Sequence, residues 1–148
     1  MPKVSEISRK QDEVVTARPD EPIVSVAKTM KESNVGSVVV VDDGEPVGIV
    51  TDRDLAVRVI AEERDRDVTA EDVMTPELHT VDVDEEISEV IRELGDGGVR
   101  RIPIVEDGKI AGIITLDDIV VLLSVELNGI SGELGSVTEV IRSHSPPY

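Results

Sequence analysis

Two heptapeptides of this chain could carry chemistry, and they match each other. They are Gly48-Ile49-Val50-Thr51-Asp52-Arg53-Asp54 and Gly112-Ile113-Ile114-Thr115-Leu116-Asp117-Asp118. In each, an apolar run ends on Thr and an Asp follows three residues later. Thr-x-x-Asp ahead of an apolar stretch fits a capping box, with Thr as N-cap and Asp at N3. The same geometry fits a ligand. The first turn of a helix offers free N–H groups and a positive dipole end, which suit a phosphate. A carboxylate beside it can accept from the two vicinal hydroxyls of a ribose. Local sequence alone leaves both readings open.

Other candidates are weaker. His79 begins an extended run with no second histidine near it, so it reads as a surface or packing residue. The acidic pairs Asp42-Asp43, Glu62-Glu63 and Glu85-Glu86 fit solvated turns and first helical turns. No serine stands in a hydrolase motif, and no glycine-rich P-loop is present. The chain has no cysteine, which removes disulfides, thiolate metal sites and a cysteine nucleophile.

The elements that must position the heptapeptides are duplicated as well. At an offset of 64 residues, Thr16, Asp20, Glu21, Ile23 and Val26 recur as Thr80, Asp84, Glu85, Ile87 and Val90. Val35, Val41, Asp43 and Gly44 recur as Val99, Val105, Asp107 and Gly108. Each copy reads as β-α-β-β-α. A short strand (14–17; 78–83) leads to a helix, with Ile23, Val26, Ala27 and Met30, or Ile87, Val90, Ile91 and Leu94, on one face. Asp20 and Asp84 stand where N-caps are expected, and Pro22 suits a first turn. Strands over 37–41 and 47–51, and over 102–105 and 110–115, flank Asp-Gly turns. Second helices are expected over 53–63 and 117–126. The charge-rich stretch 64–73 reads as a connection between the copies. Residues 133–142 could add a helical turn or two, and the Ser-Pro-Pro-Tyr end reads as a frayed terminus. The expected fold class is α+β, two pseudo-symmetric units packed sheet to sheet, since one unit of this size buries little apolar area alone.

The 148 residues include 32 acidic and 15 basic side chains, for a formal net charge of −17. Such a surface repels nucleic acid and anionic membranes, so neither is an expected partner. No signal-peptide pattern opens the chain, and its most apolar run, around 119–127, is too short to span a bilayer. The expectation is a cytoplasmic protein. Acids outnumber bases two to one and Arg outnumbers Lys ten to five, a balance that suits a salt-adapted microbe. Tyr148 is the sole aromatic residue, so any bound base must lie between aliphatic side chains.

The doubled G-h-h-T-x-x-D (h, aliphatic), the β-α-β-β-α order, the strand Val99-Arg100-Arg101-Ile102-Pro103-Ile104-Val105 and the opening Asp72-Val73-Met74-Thr75 together resemble the CBS-domain pair, a regulatory module named after cystathionine beta-synthase. The resemblance covers roughly residues 8–126, divided as one repeat over 8–64 and a second over 65–126, with a tail over 127–148. It implies a non-catalytic sensor that binds AMP, ADP, ATP or S-adenosylmethionine in clefts between the copies. It implies that Asp54 and Asp118 hold ribose hydroxyls, and that Thr51 and Thr115 contact ribose or phosphate. Strand residues of the opposite copy would line the base pocket, Val15 and Thr16 with Asp118, and Thr80 and Val81 with Asp54. The segments Val35-Gly36-Ser37 and Gly98-Val99-Arg100 would lie near the ligand.

The family's basic phosphate contact falls on Arg100 and Arg101, where copy one has Gly36 and Ser37. The cleft with Thr115, Asp118, Arg100 and Arg101 is therefore the favoured one, because guanidinium grips phosphate bidentately. Pairing with surface carboxylates is the competing role for these arginines. Copy one also departs from the family by opening with Glu6-Ile7-Ser8-Arg9-Lys10, where copy two has Val-Met-Thr-Pro at 73–76, and by having Val39 for Pro103. The resemblance further implies a homodimer and a regulated partner protein. The alternative is a ligand-free structural module whose Thr–Asp pairs are caps only. An enzyme is the weakest class, because no acid is matched with a base.

Overall fold

Runs of β-branched residues broken by Asp-Gly pairs set the strands of this molecule. Its computed structural model describes residues 3–10, 13–76, 78–97 and 100–127. The elements are α1 (Val4–Ile7), β1 (Arg9–Lys10), β2 (Thr16–Ala17), α2 (Ile23–Ser33), β3 (Ser37–Asp42), β4 (Glu45–Thr51), α3 (Asp52–Asp54), a π-helical stretch (Leu55–Ile60), α4 (Ala70–Val73), β5 (Thr75–Pro76), β6 (Val81–Asp82), α5 (Ile87–Gly97), β7 (Arg101–Glu106), β8 (Lys109–Thr115) and α6 (Leu116–Leu127). The fold is α+β, as expected.

Two compact units result. The first gathers the described residues of 14–78 and 108–110; the second gathers those of 1–13, 79–107 and 111–146. The first sheet has the order β2-β3-β4-β5 and the second β1-β8-β7-β6. In both, the short opening strand runs parallel to the next one. Thr16 is in register with Val39, and Val81 with Ile104. Both hairpin turns put an Asp-Gly pair at positive φ, 49° and 82° at Asp43-Gly44 and 50° and 77° at Asp107-Gly108. Only a type I′ turn wants two successive residues there, which is why Asp-Gly marks it.

Each unit has its own aliphatic core. Ile23, Val26 and Met30 of α2 pack with Val38, Val40 and Val50 of the first sheet. Ile87, Val90 and Leu94 of α5 pack with Ile102, Ile104 and Ile114 of the second. The helical spacing read from sequence is thus the buried face of each helix. Val39, which points to the other face of its sheet, is also fully buried, as a nearly all-apolar strand requires.

Four expectations need correction. Asp20 and Asp84 are not N-caps. The helix α2 begins at Ile23 behind Pro22, which makes no side-chain cap, and the Ile23 N–H donates to the Val68 carbonyl at 2.7 Å. Glu21 and Glu85 instead close the preceding turns. Each accepts a backbone N–H three residues back, from Arg18 (3.2 Å) and Asp82 (2.9 Å). Asp20 pairs with Arg18 and Asp84 with Lys3.

The opening strands are also shorter than expected. The second helix of copy one is a single α turn continued as a π-helix, whereas copy two is α throughout. Finally, 64–73 is more than a connection. Its last residues form α4, capped by Thr69 and Asp72, and β5 then joins the first sheet with Gly48 opposite Pro76.

That segment exposes a second repeat, at an offset of 66. The helix α1 and strand β1 do for the second unit what α4 and β5 do for the first. Val4 and Ser5 donate to Glu85 and Val83 (3.0 and 3.3 Å), as Ala70 and Glu71 donate to Glu21 and Pro19 (2.8 and 3.0 Å). Lys10 lies opposite Gly112 as Pro76 lies opposite Gly48. The unusual opening of copy one therefore builds the same elements as Val73-Met74-Thr75-Pro76. The expected turns over 133–142 lie outside the described residues. Among those residues, no helix is long and apolar enough to cross a membrane.

Candidate functional site

Both Thr–Asp pairs form complete capping boxes. The Thr51 N–H donates to Asp54 Oδ2 at 2.9 Å, and the Asp54 N–H donates to Thr51 Oγ1 at 3.2 Å. Thr115 and Asp118 repeat both bonds at 2.9 and 3.2 Å. These bonds satisfy backbone donors that a helix start would otherwise leave open. One carboxylate oxygen in each pair is thereby committed to the fold.

The strand heads beside the boxes are held by backbone. The Asp52 N–H donates to the Gly36 carbonyl and the Leu116 N–H to the Arg100 carbonyl, both at 2.9 Å. A Cβ on Gly36 would stand 3.3 Å from Asp52 Oδ2, so little space is left for a side chain there. Ser37 lies opposite Thr51 in the sheet register. Its side chain is fully buried, yet its Oγ has no hydrogen-bond partner. Arg101 is the residue equivalent to Ser37 at the 64-residue offset, and its buried Nε also has no partner. Native proteins leave few buried polar atoms unsatisfied, so two orphans at one repeated position mark that position.

The surroundings of the two boxes differ. Thr115 is 4% exposed and Asp118 fully buried. The Asp54 side chain is 13% exposed, and its Oδ1 lies 3.6 Å from Arg58 Nε. Arg58 also donates from Nη1 to the Val73 carbonyl at 2.7 Å. The residue equivalent to Arg58 in copy two is Leu122, a core residue. The Arg58/Leu122 contrast is visible in the sequence repeat itself.

The remaining expected residues are distributed as follows. Gly36, Ser37, Thr51 and Asp54 come together at one end of the first sheet. Val15 packs partly buried against the first core, and its carbonyl accepts the Val39 N–H at 3.1 Å. Thr16 is exposed and lines an open groove of about 630 Å³ with Arg18, Glu21, Ser25, Val41 and Asp43. Arg101 and Thr115 stand at the strand ends that meet α6, and Arg100 is exposed beside them. Thr80 is exposed, whereas Val81 is buried in the second core. Gly98 and Val99 lie outside the described residues. His79 is exposed, and among the described residues no three His, Cys, Asp or Glu side chains could hold a metal ion.

Known proteins share this fold. The model of the CBS domain matches residues 4–61 and 70–125. Its two segments start 66 residues apart and so include α1 and α4. An uncharacterized protein of Methanopyrus kandleri is 42% identical over 119 residues, covering 78% of this chain and 60% of that protein. The crystal structure of the CBS domain pair of protein MJ0100, in complex with 5′-methylthioadenosine and S-adenosyl-L-methionine, superposes with a TM-score of 0.74 at 28% identity. It covers 85% of this chain and 98% of that one. CBSX2 in complex with AMP superposes with a TM-score of 0.73 over 86% of this chain and 99% of that one. At 23% identity it speaks to the fold alone.

Proposed function

This chain belongs to the CBS-domain family, and from that premise we propose that it is a non-catalytic regulatory module that binds an adenine-containing small molecule. The ligand class is AMP, ADP, ATP or S-adenosylmethionine. The observation that carries the reading is the pair of orphaned polar atoms, Ser37 Oγ and Arg101 Nε, at equivalent strand heads beside the Thr–Asp boxes. A bound ligand would give them partners. Thr115, Asp118, Arg100 and Arg101 form the favoured set, with guanidinium as the phosphate or carboxylate contact. Thr51, Asp54, Gly36 and Ser37 form the second set, and Val15, Thr16, Thr80 and Val81 contribute strand residues for the base. The complex of MJ0100 with 5′-methylthioadenosine and S-adenosyl-L-methionine supports the ligand class.

The module works as a homodimer in the cytoplasm and acts on a partner protein. Support for the dimer comes from aliphatic side chains exposed on the helices that follow both boxes. Val57 is 48% and Ile60 74% exposed, Val120 53% and Leu123 37%. A second copy of the chain would cover them. A net charge of −17 fits a salt-rich cell.

A second reading has its own observation. The capping boxes account for Thr51, Asp54, Thr115 and Asp118 without any ligand, which favours a structural module that works through dimerisation alone. Thermal unfolding separates the two. A ligand at a hundred times its Kd stabilises by about 2.7 kcal/mol. Melting temperature is therefore expected to rise with one of the four compounds, and less in Arg101→Ala. No rise with any of them, in a protein that still dimerises, supports the structural module.

A further inference from the structure

The carboxylate of Asp54 already has an occupant. Oδ2 accepts the Thr51 N–H and Oδ1 faces Arg58 Nε at 3.6 Å. The same guanidinium caps the end of α4 through the Val73 carbonyl. The carboxylate is 13% exposed while the guanidinium is 40% exposed, so the ion pair is screened on its arginine side and the bond to the Val73 carbonyl is what anchors Arg58. A guanidinium offers several N–H donors in one plane, and a ribose offers two O–H donors on adjacent carbons. Both would seek the same oxygen. Two independent features belong to this copy alone. The residue equivalent to Arg58 is the core residue Leu122 in copy two, and the helix carrying Arg58 is wound as π from Leu55 to Ile60 while α6 is α throughout. Insertions of π geometry are uncommon and collect at functional positions.

We propose that Arg58 is a built-in stand-in for the ribose diol, which keeps the first site shut until a ligand displaces it. This rests on the ribose–carboxylate reading above. Displacement would also free the carbonyl end of α4 and the edge strand β5 behind it. Occupancy at Asp54 would then be read out as loosening of residues 70–76. The position equivalent to Arg58 in copy two is held by the core residue Leu122, so the two sites differ at that position.

The test uses the full chain and AMP as the probe, with stoichiometry and affinity read by calorimetry. In an Asp118→Asn background the first site is read alone. That variant is expected to show no saturable AMP binding, or binding at least tenfold weaker than wild type. Adding Arg58→Leu, or Arg58→Gln where the leucine variant fails to fold, is expected to restore binding at one AMP per chain. Adding Asp54→Asn is expected to abolish it again. Three results overturn the plug. If D118N binds AMP through Asp54 as tightly as wild type, the first site is open with Arg58 in place. If neither R58L nor R58Q restores binding while wild type binds, Arg58 is not what closes the site. If no protein, wild type included, binds AMP, the nucleotide reading itself fails for this probe and the plug falls with it.

Discussion

Asp54 and Asp118 accept the same backbone hydrogen bond at the same 2.9 Å, from threonines at the same place in two copies of one motif. Around them the copies part. Asp118 is sealed in, followed one helical turn later by Leu122 of the core. Asp54 is partly exposed and followed by Arg58, which ties it to the segment 70–76. The same cap is therefore followed, four positions on, by a core leucine in one copy and by an ion-pairing arginine in the other. A duplicated fold keeps the backbone that positions a site while each copy is free to change what the site can accept.

The largest effect separating the copies is expected from the buried carboxylate. Asp118→Ala should cost about 2 kcal/mol, as the cap is lost and the buried Thr115 N–H goes unpaired. Asp54→Ala should cost about 1 kcal/mol, because water can reach the vacated position. Urea unfolding of both variants measures the difference, and equal costs would break the contrast.

Next comes the edge strand. A Cβ on Gly48 would meet Met74 at 2.2 Å from Sδ and 3.1 Å from Cβ. Gly48→Ala is expected to destabilise by about 2 kcal/mol through overpacking. Met74→Ser in the same chain should recover part of that, since the residue equivalent to Met74 in the second unit is Ser8. No recovery would mean that the backbone, not the methionine, resists the methyl group.

Arg58→Leu is expected to be milder. It loses one charge-assisted bond to a carbonyl and a half-exposed ion pair, about 1 kcal/mol together. Amide exchange over 70–76 should accelerate in this variant, while exchange over the equivalent segment 4–10 stays unchanged.

The smallest effect is acid sensitivity at the α4 cap. Hydrogen bonds from the Thr69 backbone and side chain hold Asp72 below the ordinary carboxylate value of 3.8. A depressed folded pKa contributes stability that is present above the unfolded value and lost as pH falls through the folded one. Asp72→Asn should therefore narrow the stability difference between pH 6 and pH 3. At the matching position, α1 starts behind Lys3, whose ammonium is raised above 10.5 by its bond to Asp84. Its contribution is complete below 10.5 and is lost only as pH climbs through the raised value.

Much of this was legible beforehand because it is encoded by short-range chemistry. Asp-Gly between apolar runs has few other uses, so both hairpins could be located. Thr-x-x-Asp announced both caps, and the 3.6-residue spacing announced the buried faces of α2 and α5. The repeat of 4–10 in 70–76 was harder to see. It is seven residues long, shares little beyond apolar positions, and runs at an offset of 66 rather than 64.

The turns before α2 and α5 misled because Asp and Glu are adjacent there, and the glutamate reaches the N–H three residues back. The π winding of Leu55–Ile60 has no local signal in residues that are ordinary helix formers. Arg58 could have been read by setting the copies side by side. Its meeting with Asp54 and Val73 depends on a chain segment fifteen residues away.

The most direct measurement is calorimetric titration of AMP and S-adenosylmethionine into the wild-type chain and Asp118→Ala, in concentrated potassium chloride. Saturable binding of one of them by wild type, lost in Asp118→Ala while the variant remains folded, is the predicted result. Equal binding by both proteins would contradict the assignment of the main site. No heat from either compound in the folded protein would contradict the sensor account and leave the Thr–Asp pairs as caps.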